Sequence, residues 1–358
     1  MKPIAIFLTI LGTLFLSLNI TCASPINWKS HYTNAQTLAA EGRTQEALKE
    51  ARLSAIDSRD RHGLETSNTL KSLELLAKLT REVGNYPKAT RLQREAYEIS
   101  SRINGKTNPN TIRLLSQLAE LTILAGNFNA GKAYYDEALR LCEAGNRSAC
   151  VTAAYPMMGL ARLLATEGKL MDAEKLYLSA FDKFCCFSKY QPELKFRMAA
   201  ALESLGAIYR LQGDYVHAIK CFDQLKFVYQ SKKSAPDAQD GLCLSLLNLG
   251  DIYARWGKYE RAIKSYKEVA LILENHPDAD SSMMLGLALK GLGDTFKNKG
   301  NMALAANYYK KALVHLETVA FIGKPLYSET VKSLSNVYKE MGMNSDAQAI
   351  LARNLAMN

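Results

Sequence analysis

The chain has 358 residues, of which 48% are hydrophobic and 22% are charged. This composition is ordinary for a folded protein and argues against intrinsic disorder. The formal net charge of +10 favours acidic proteins, anionic membrane surfaces or nucleic acid as partners, without distinguishing among them.

The first 23 residues are typical of an export signal. A short basic start precedes an apolar run from Ile4 to Ile20, and the small residue Ala23 stands before Ser24. We predict cleavage after Ala23. Two alternatives remain open: an uncleaved anchor, because the run is about as long as the shortest membrane-spanning helices, and lipidation of Cys22. In every case we expect the rest of the chain to be exported, to the periplasm or outside the cell.

A periodic glycine is the main feature of the remaining chain. Eight glycines recur 42 to 45 residues apart, and they are Gly42, Gly84, Gly126, Gly168, Gly213, Gly257, Gly300 and Gly342. A period in this range marks a repeat protein, in which each unit buries its apolar face only against its neighbours.

Other positions keep a fixed distance from these glycines. The residue seven before is always Ala, Gly or Ser, and the residue five after is always Ala or Gly. Apolar residues recur at helical spacing, as in Leu202, Leu205 and Tyr209. These patterns predict a helical hairpin in each repeat, with the glycine ending the first helix. Large side chains are expected to fill the space beside the small ones; in the second helices they are Tyr135, Tyr177, Phe222, Tyr266 and Tyr309.

Segments such as Leu205-Gly206, Tyr209, Gly213-Asp214-Tyr215, Ala218 and Phe222 resemble tetratricopeptide repeats. The 42-residue length is similar to the longer repeats of kinesin light chains, whereas the usual unit has about 34 residues. HEAT repeats share the longer period, but the small residues around the glycine favour the tetratricopeptide unit.

The resemblance implies an all-α solenoid of about eight antiparallel helix pairs that form a right-handed superhelix. We expect a single solenoid over residues 24–358, with repeats at 28–69, 70–111, 112–153, 154–198, 199–242, 243–285, 286–327 and 328–358.

The sequence offers little support for catalysis. His217 and Cys221 lie four residues apart and Asp214 one turn earlier, a spacing that suits a metal or an activated thiolate, but no further ligands lie nearby. We therefore interpret the group as helix surface and core. For the adjacent Cys185 and Cys186 we expect one buried and one exposed thiol, with redox activity as the alternative. No phosphate-binding loop is present, so we predict no enzyme activity, no metal and no cofactor.

Six cysteines follow the export signal, which permits disulfides in an exported protein. Cys142 and Cys150 flank a short, turn-rich stretch and are the candidate pair. Buried, reduced cysteines are the alternative.

In tetratricopeptide arrays the first helices line a concave groove, at positions 13, 10, 6 and 3 residues before the turn glycine. Here eleven of those 32 positions are basic and six are acidic, with apolar residues between them. We predict a protein-binding groove formed by Lys71, Lys78, Arg81, Arg113, Tyr155, Met158, Arg162, Arg210, Leu244, Leu247, Lys290, Lys297, Lys332 and Lys339. A solvated face without a partner is the alternative.

These observations lead to the hypothesis of an exported, non-catalytic scaffold that binds an acidic and apolar segment of another protein. Nucleic acid is not expected, and membrane contact is expected only through the N-terminus. The alternative is a cell-envelope structural element that assembles through its convex face and its ends.

Overall fold

The computed structural model describes residues 27–145, 149–188, 194–231, 238–274 and 279–356. The predicted export signal, residues 1–23, lies outside these ranges. Within them the chain is helical and contains no strand. The chain forms two compact units, one that ends at Thr152 and one that begins at Ala153. The all-α class is therefore confirmed, and the single solenoid over 24–358 stays a prediction.

The described residues of unit 1 form three helix pairs and one short helix. They are α1 (Trp28–Ala40), α2 (Thr44–His62), α3 (Ser67–Glu82), α4 (Tyr86–Asn104), α5 (Pro109–Leu124), α6 (Phe128–Ala144) and α7 (Ala149–Thr152). Each long helix packs against the next one in the sequence.

In unit 2 the residues that the structure describes form five helix pairs. They are α8 (Ala154–Thr166), α9 (Leu170–Ser188), α10 (Leu194–Gln212), α11 (Tyr215–Gln230), α12 (Ala238–Arg255), α13 (Tyr259–Leu273), α14 (Ala279–Asn298), α15 (Met302–Thr318), α16 (Ala320–Glu340) and α17 (Asn344–Ala356). Each again packs against the next.

The periodic glycine separates the two helices of every pair, as predicted. Gly213 shows why glycine is required, since its φ of 78° lies in the left-handed region. This conformation lets the NH of Asp214 donate to the carbonyl of Tyr209 at 2.8 Å, which ends α10. The carboxylate of Asp214 then accepts from the NH of His217 and begins α11.

The two small-residue columns lie where the paired helices touch. Ala35 and Ala47 are fully buried in the first pair, and Ala161 and Ala173 are fully buried in the fourth. In the fifth pair a Cβ atom at Gly206 would lie 2.6 Å from the ring of Phe222. The small residues therefore admit the large side chains of the second helix, as predicted.

First helices of successive pairs also touch one another. Such contacts join α1 to α3 in unit 1, and α8 to α10, α12 to α14 and α14 to α16 in unit 2. Within the described residues no two second helices make more than marginal contact. Ion pairs link the remaining neighbours, Arg113 with Glu74 between α5 and α3, and Arg210 with Asp251 between α10 and α12. We call the surface that the first helices form in each unit the first-helix face.

Candidate protein-interaction face

The predicted groove residues lie on the first-helix faces of the two units, and none of them is buried. Seven are exposed: Lys71, Lys78, Arg81, Arg162, Leu244, Lys332 and Lys339. The other seven are half-buried: Arg113, Tyr155, Met158, Arg210, Leu247, Lys290 and Lys297. The registers read from the glycines therefore identify solvent-accessible positions.

In unit 1, two of the predicted basic residues pair with acidic residues of a neighbouring first helix. Arg113 on α5 donates to Glu74 on α3 at 2.8 Å, and also to Gln117 at 3.2 Å. Arg81 on α3 lies 3.9 Å from Glu120 on α5. These contacts bridge the second and third pairs.

In unit 2, Asp251 on α12 forms ion pairs with two arginines. Arg210 Nη1 on α10 donates to Asp251 Oδ2 at 2.9 Å, and Arg255 Nε donates to both carboxylate oxygens at 2.9 Å. Arg210 Nε is buried and makes no hydrogen bond within the described structure. Arg210 thus links the fifth helix pair to the sixth, and its guanidinium is only partly available to a binding partner.

Lys290 on α14 is similarly occupied. Its ammonium group lies 3.0 Å from both Asp294 and Glu329, the latter on α16. Burial alone would lower the pKa of Lys290, but the two carboxylates raise it above its ordinary value. Asp294 also accepts from the hydroxyl of buried Tyr309 at 2.5 Å. Nearby, Lys297 lies 3.3 Å from Glu340.

These pairs reduce the basic excess that the sequence suggests. Lys78 faces Glu82 at 3.9 Å. Lys71, Lys332 and Lys339 are exposed and have no ion pair within the described part of the chain. In unit 2, Lys332 and Lys339 lie on α16. The exposed residues Leu244 and Leu287 lie on α12 and α14, which are the first helices of the two preceding pairs. This apolar and basic surface is the part of the first-helix face best suited to a partner.

Tyr155 and Met158 are engaged within unit 2. The rings of Tyr155 and Phe184 meet edge-on, with their centroids 5.6 Å apart. The guanidinium of Arg197 lies 5.3 Å from the centroid of the Tyr155 ring. Met158 packs against the core that includes Ala161. Both residues therefore support α8 more than they line an open groove.

The histidine and cysteine positions show no assembled reactive centre. His217 Nδ1 lies 2.6 Å from Asp214 Oδ2, and its ring stacks at an angle on Tyr209. Cys221 is buried, and burial raises the pKa of its thiol to about 11. Within the described ranges no group of three or more His, Cys, Asp or Glu side chains is arranged to hold a metal ion.

One expectation about the cysteines is wrong. Cys185 and Cys186 are both exposed, because Phe184 occupies the inward position of this helical turn and is fully buried. For the candidate disulfide, the side chain of Cys150 lies outside the described residues, so its pairing with Cys142 stays a prediction.

A pocket of about 510 Å³ lies between α9, α10 and α11 in unit 2. Apolar side chains dominate its lining, with Phe181, Met198, Leu202 and Phe227 among them, and Lys195 and Asp223 add polar groups. Its size lies within the range of small-ligand sites, but the polar groups that would orient a specific ligand are few.

A row of exposed apolar residues on second helices was not among the predicted surface positions. Phe227, Leu271 and Val314 stand fourteen residues after their turn glycines, and their exposures are 72%, 72% and 63%. We call these three residues the second-helix row. The signal in the sequence is the constant distance of fourteen residues from the turn glycine.

No helix in the described part of the chain is both long and apolar enough to cross a membrane.

Two family models, both described as tetratricopeptide repeat, match the sequence. One matches residues 68–144 and 197–275 and the other 279–313, together more than half of the chain. No curated protein matches it.

Several solved structures share the fold at low identity. BtubC (BKLC) from P. vanneervenii is 21% identical, with a TM-score of 0.52 over 64% of this chain and 88% of that one. The apo form of RapI is 11% identical, with a TM-score of 0.64 over 80% and 76%. A signal transduction ATPase with a tetratricopeptide repeat sensor, from Pyrococcus horikoshii, is 14% identical, with a TM-score of 0.66 over 98% and 52%.

Proposed function

Because this chain belongs to the tetratricopeptide repeat family, whose repeats generally bind other proteins, we propose that it is an exported scaffold without catalytic activity. Its partner is an acidic and apolar segment of another protein, bound on the first-helix face of unit 2. The export signal at residues 1–23 supports a location in the periplasm or outside the cell.

The observation that carries this proposal is the exposure of apolar side chains on the same first-helix face as lysines without ion pairs. Leu244 and Leu287 are 44% and 38% exposed on α12 and α14, whose other leucines are buried or half-buried, and Lys332 and Lys339 follow on α16. Apolar anchors give affinity to such a surface, and the lysines select an acidic partner. The cross-repeat pairs at Asp251 and Lys290 hold the neighbouring helices in place.

Photo-crosslinking tests the proposal directly. A photoreactive residue at position 244 should capture a partner in cells, whereas one at position 178 should not. Leu178 is a matched control, because it is 39% exposed but lies on the second helix α9.

Substitution then measures the contribution of the surface. Leu244→Ser with Leu287→Ser should weaken binding of the captured partner at least tenfold, on the order expected for lost apolar anchors. Leu53→Ser with Leu178→Ser removes the same residue type at equal exposure and should leave binding unchanged. Equal loss in both double variants, or capture at 178 alone, would contradict the proposal.

Lysine reversal is best made at Lys332 and Lys339. Reversing Lys290 would place a third carboxylate beside Asp294 and Glu329 and would confound binding with folding. Lys332→Glu with Lys339→Glu should weaken binding and leave the thermal midpoint unchanged.

A further inference from the structure

The second-helix row is distinguished by its regular placement. Single exposed apolar residues are common on protein surfaces. Phe227, Leu271 and Val314, however, occupy the same position on α11, α13 and α15, the second helices of three successive pairs. The corresponding residues of the second, third and fourth pairs are Glu98, Arg140 and Asp182. The corresponding residue of the first pair, in unit 1, is Ile56, which is 57% exposed. The repeat therefore does not require an apolar residue at this position, and three in succession occur only in unit 2.

Basic residues share the helix face of each row member. Side chains three, four or seven residues apart lie on the same side of a helix. Lys220 lies seven residues before Phe227, and Lys264 and Lys267 lie seven and four before Leu271. Lys310 and Lys311 precede Val314 by four and three residues. All five lysines are exposed.

The carboxylates on these helices offset this charge only in part. By the same spacing Asp223, Glu268 and Glu317 share the face of the row, three carboxylates against five lysines, and Glu268 and Glu317 are half-buried. The exposed ones are Asp223 and Glu260; Asp223 lies 3.8 Å from Lys226, and Glu260 pairs with Lys299. Lys220, Lys264 and Lys267 have no ion pair within the described residues. The face thus combines apolar side chains that project into solvent with an excess of lysines over carboxylates.

We propose that this face of unit 2 docks on an anionic lipid surface. Charge complementarity selects the lipid headgroups, and the three apolar side chains enter the interfacial region. Docking by the second helices leaves the first-helix face of the same unit open.

Vesicle co-sedimentation of the full chain tests this proposal. Wild-type protein should bind phosphatidylcholine vesicles that contain phosphatidylglycerol more strongly than vesicles of phosphatidylcholine alone. The N-terminal apolar run is common to all variants. The ratio of binding to anionic vesicles over binding to neutral vesicles therefore reports the contribution of the basic face.

The variants remove charge and apolar area separately. Lys220→Glu, Lys264→Glu and Lys267→Glu together should reduce binding to the anionic vesicles about a hundredfold, since each basic residue contributes about a fivefold increase in partition. Phe227→Ser, Leu271→Ser and Val314→Ser together should reduce it at least tenfold.

Matched controls use residues away from the row. Lys49→Glu, Arg52→Glu and Arg91→Glu change three exposed cations on second helices of unit 1. Met171→Ser, Leu211→Ser and Val216→Ser remove three exposed apolar side chains elsewhere in unit 2. Both control sets should retain most of the binding.

A photoreactive residue at position 271 reports the contact itself and should crosslink to lipid. Equal binding by row and control variants, or no preference for anionic lipid, would overturn the proposal. Capture of a protein instead of lipid at position 271 would overturn it in favour of a protein partner. None of these variants alters Leu244 or Lys332, so failure here leaves the proposed first-helix partner standing.

Discussion

A Cβ atom added at Gly293 would lie 2.6 Å from the ring of Tyr309. The two residues face each other where α14 and α15 touch, and Tyr309 is fully buried. Gly250 and Tyr266 stand in the same relation one pair earlier. The absence of a side chain at these glycines therefore determines how closely the two helices of a pair approach.

Gly293→Ala should destabilise the protein. Alanine favours the helix by about 1 kcal/mol over glycine, but overpacking costs about 1–3 kcal/mol because the Tyr309 ring must move. We expect the free energy of unfolding to fall by about 1 kcal/mol, as measured by urea denaturation. Tyr309→Leu makes room for the new methyl group, so adding Gly293→Ala to that variant should cost less than it does in wild type. Equal costs in the two backgrounds would show that the contact is not the cause.

This pair also shows how far the sequence allowed the fold to be predicted. Small residues and aromatics at fixed distances from a glycine predict the helix pair and its contact, because they describe neighbours within one repeat. The same pattern does not predict the hydrogen bond from Tyr309 to Asp294, or the ion pairs of Lys290 with Asp294 and Glu329. Those contacts depend on the conformations that side chains of neighbouring helices adopt.

For the candidate site, the sequence likewise predicted which positions are accessible but not which side chains pair with each other. The register identified accessible positions such as Lys332 and Leu244, but it also counted Arg113 and Arg210 as available to a partner. Both form ion pairs with a neighbouring first helix, which a count of charges cannot reveal. The second-helix row was not predicted, because the groove positions implied by the tetratricopeptide resemblance lie on first helices alone.

Asp251→Asn should weaken the stacking of the fifth pair on the sixth. The substitution leaves the two arginines without a charged acceptor, and Arg210 already has one buried nitrogen without a hydrogen bond. The pair is about one-third exposed, so solvent screening limits the loss to about 1 kcal/mol. Glu74→Gln removes a carboxylate with a single arginine partner and should cost less. A larger effect for Glu74→Gln in the same denaturation assay would contradict this account.

Intact mass and N-terminal sequencing of the protein from its native cells test the export prediction. We expect the mature chain to begin at Ser24, because Ala23 completes a cleavage site for an export signal. Ala23→Arg should block processing and increase the mass by that of the retained segment. A wild-type chain that begins at Met1, or one that begins at a lipid-modified Cys22, would contradict cleavage after Ala23.

Peptide mapping without reduction tests the candidate disulfide between Cys142 and Cys150. Protein recovered from an exporting host should yield a linked peptide pair that separates on reduction, because oxidising compartments stabilise such bridges. Cys150→Ser should leave Cys142 reactive to alkylation. Recovery of both cysteines as free thiols from the exported protein would show that the pair is not bridged.

Alkylation in the native state should distinguish the four other cysteines. Cys185 and Cys186 are exposed and should react first, whereas Cys221 and Cys243 are buried and should react only after unfolding. Desolvation raises the pKa of these two thiols to about 11 and about 12, so they stay protonated at neutral pH.

The raised pKa of Cys243 makes the free energy of unfolding depend on pH in the alkaline range. A thiol that is kept neutral by folding contributes fully below its ordinary pKa of 9.0, and this contribution is lost as the pH rises through the folded value. The free energy of unfolding should therefore decline from about pH 9 upward, with a smaller slope in Cys243→Ala. Rapid native-state labelling of Cys243 at neutral pH, or an unchanged slope in the variant, would show that this thiol is not held in its neutral form by burial.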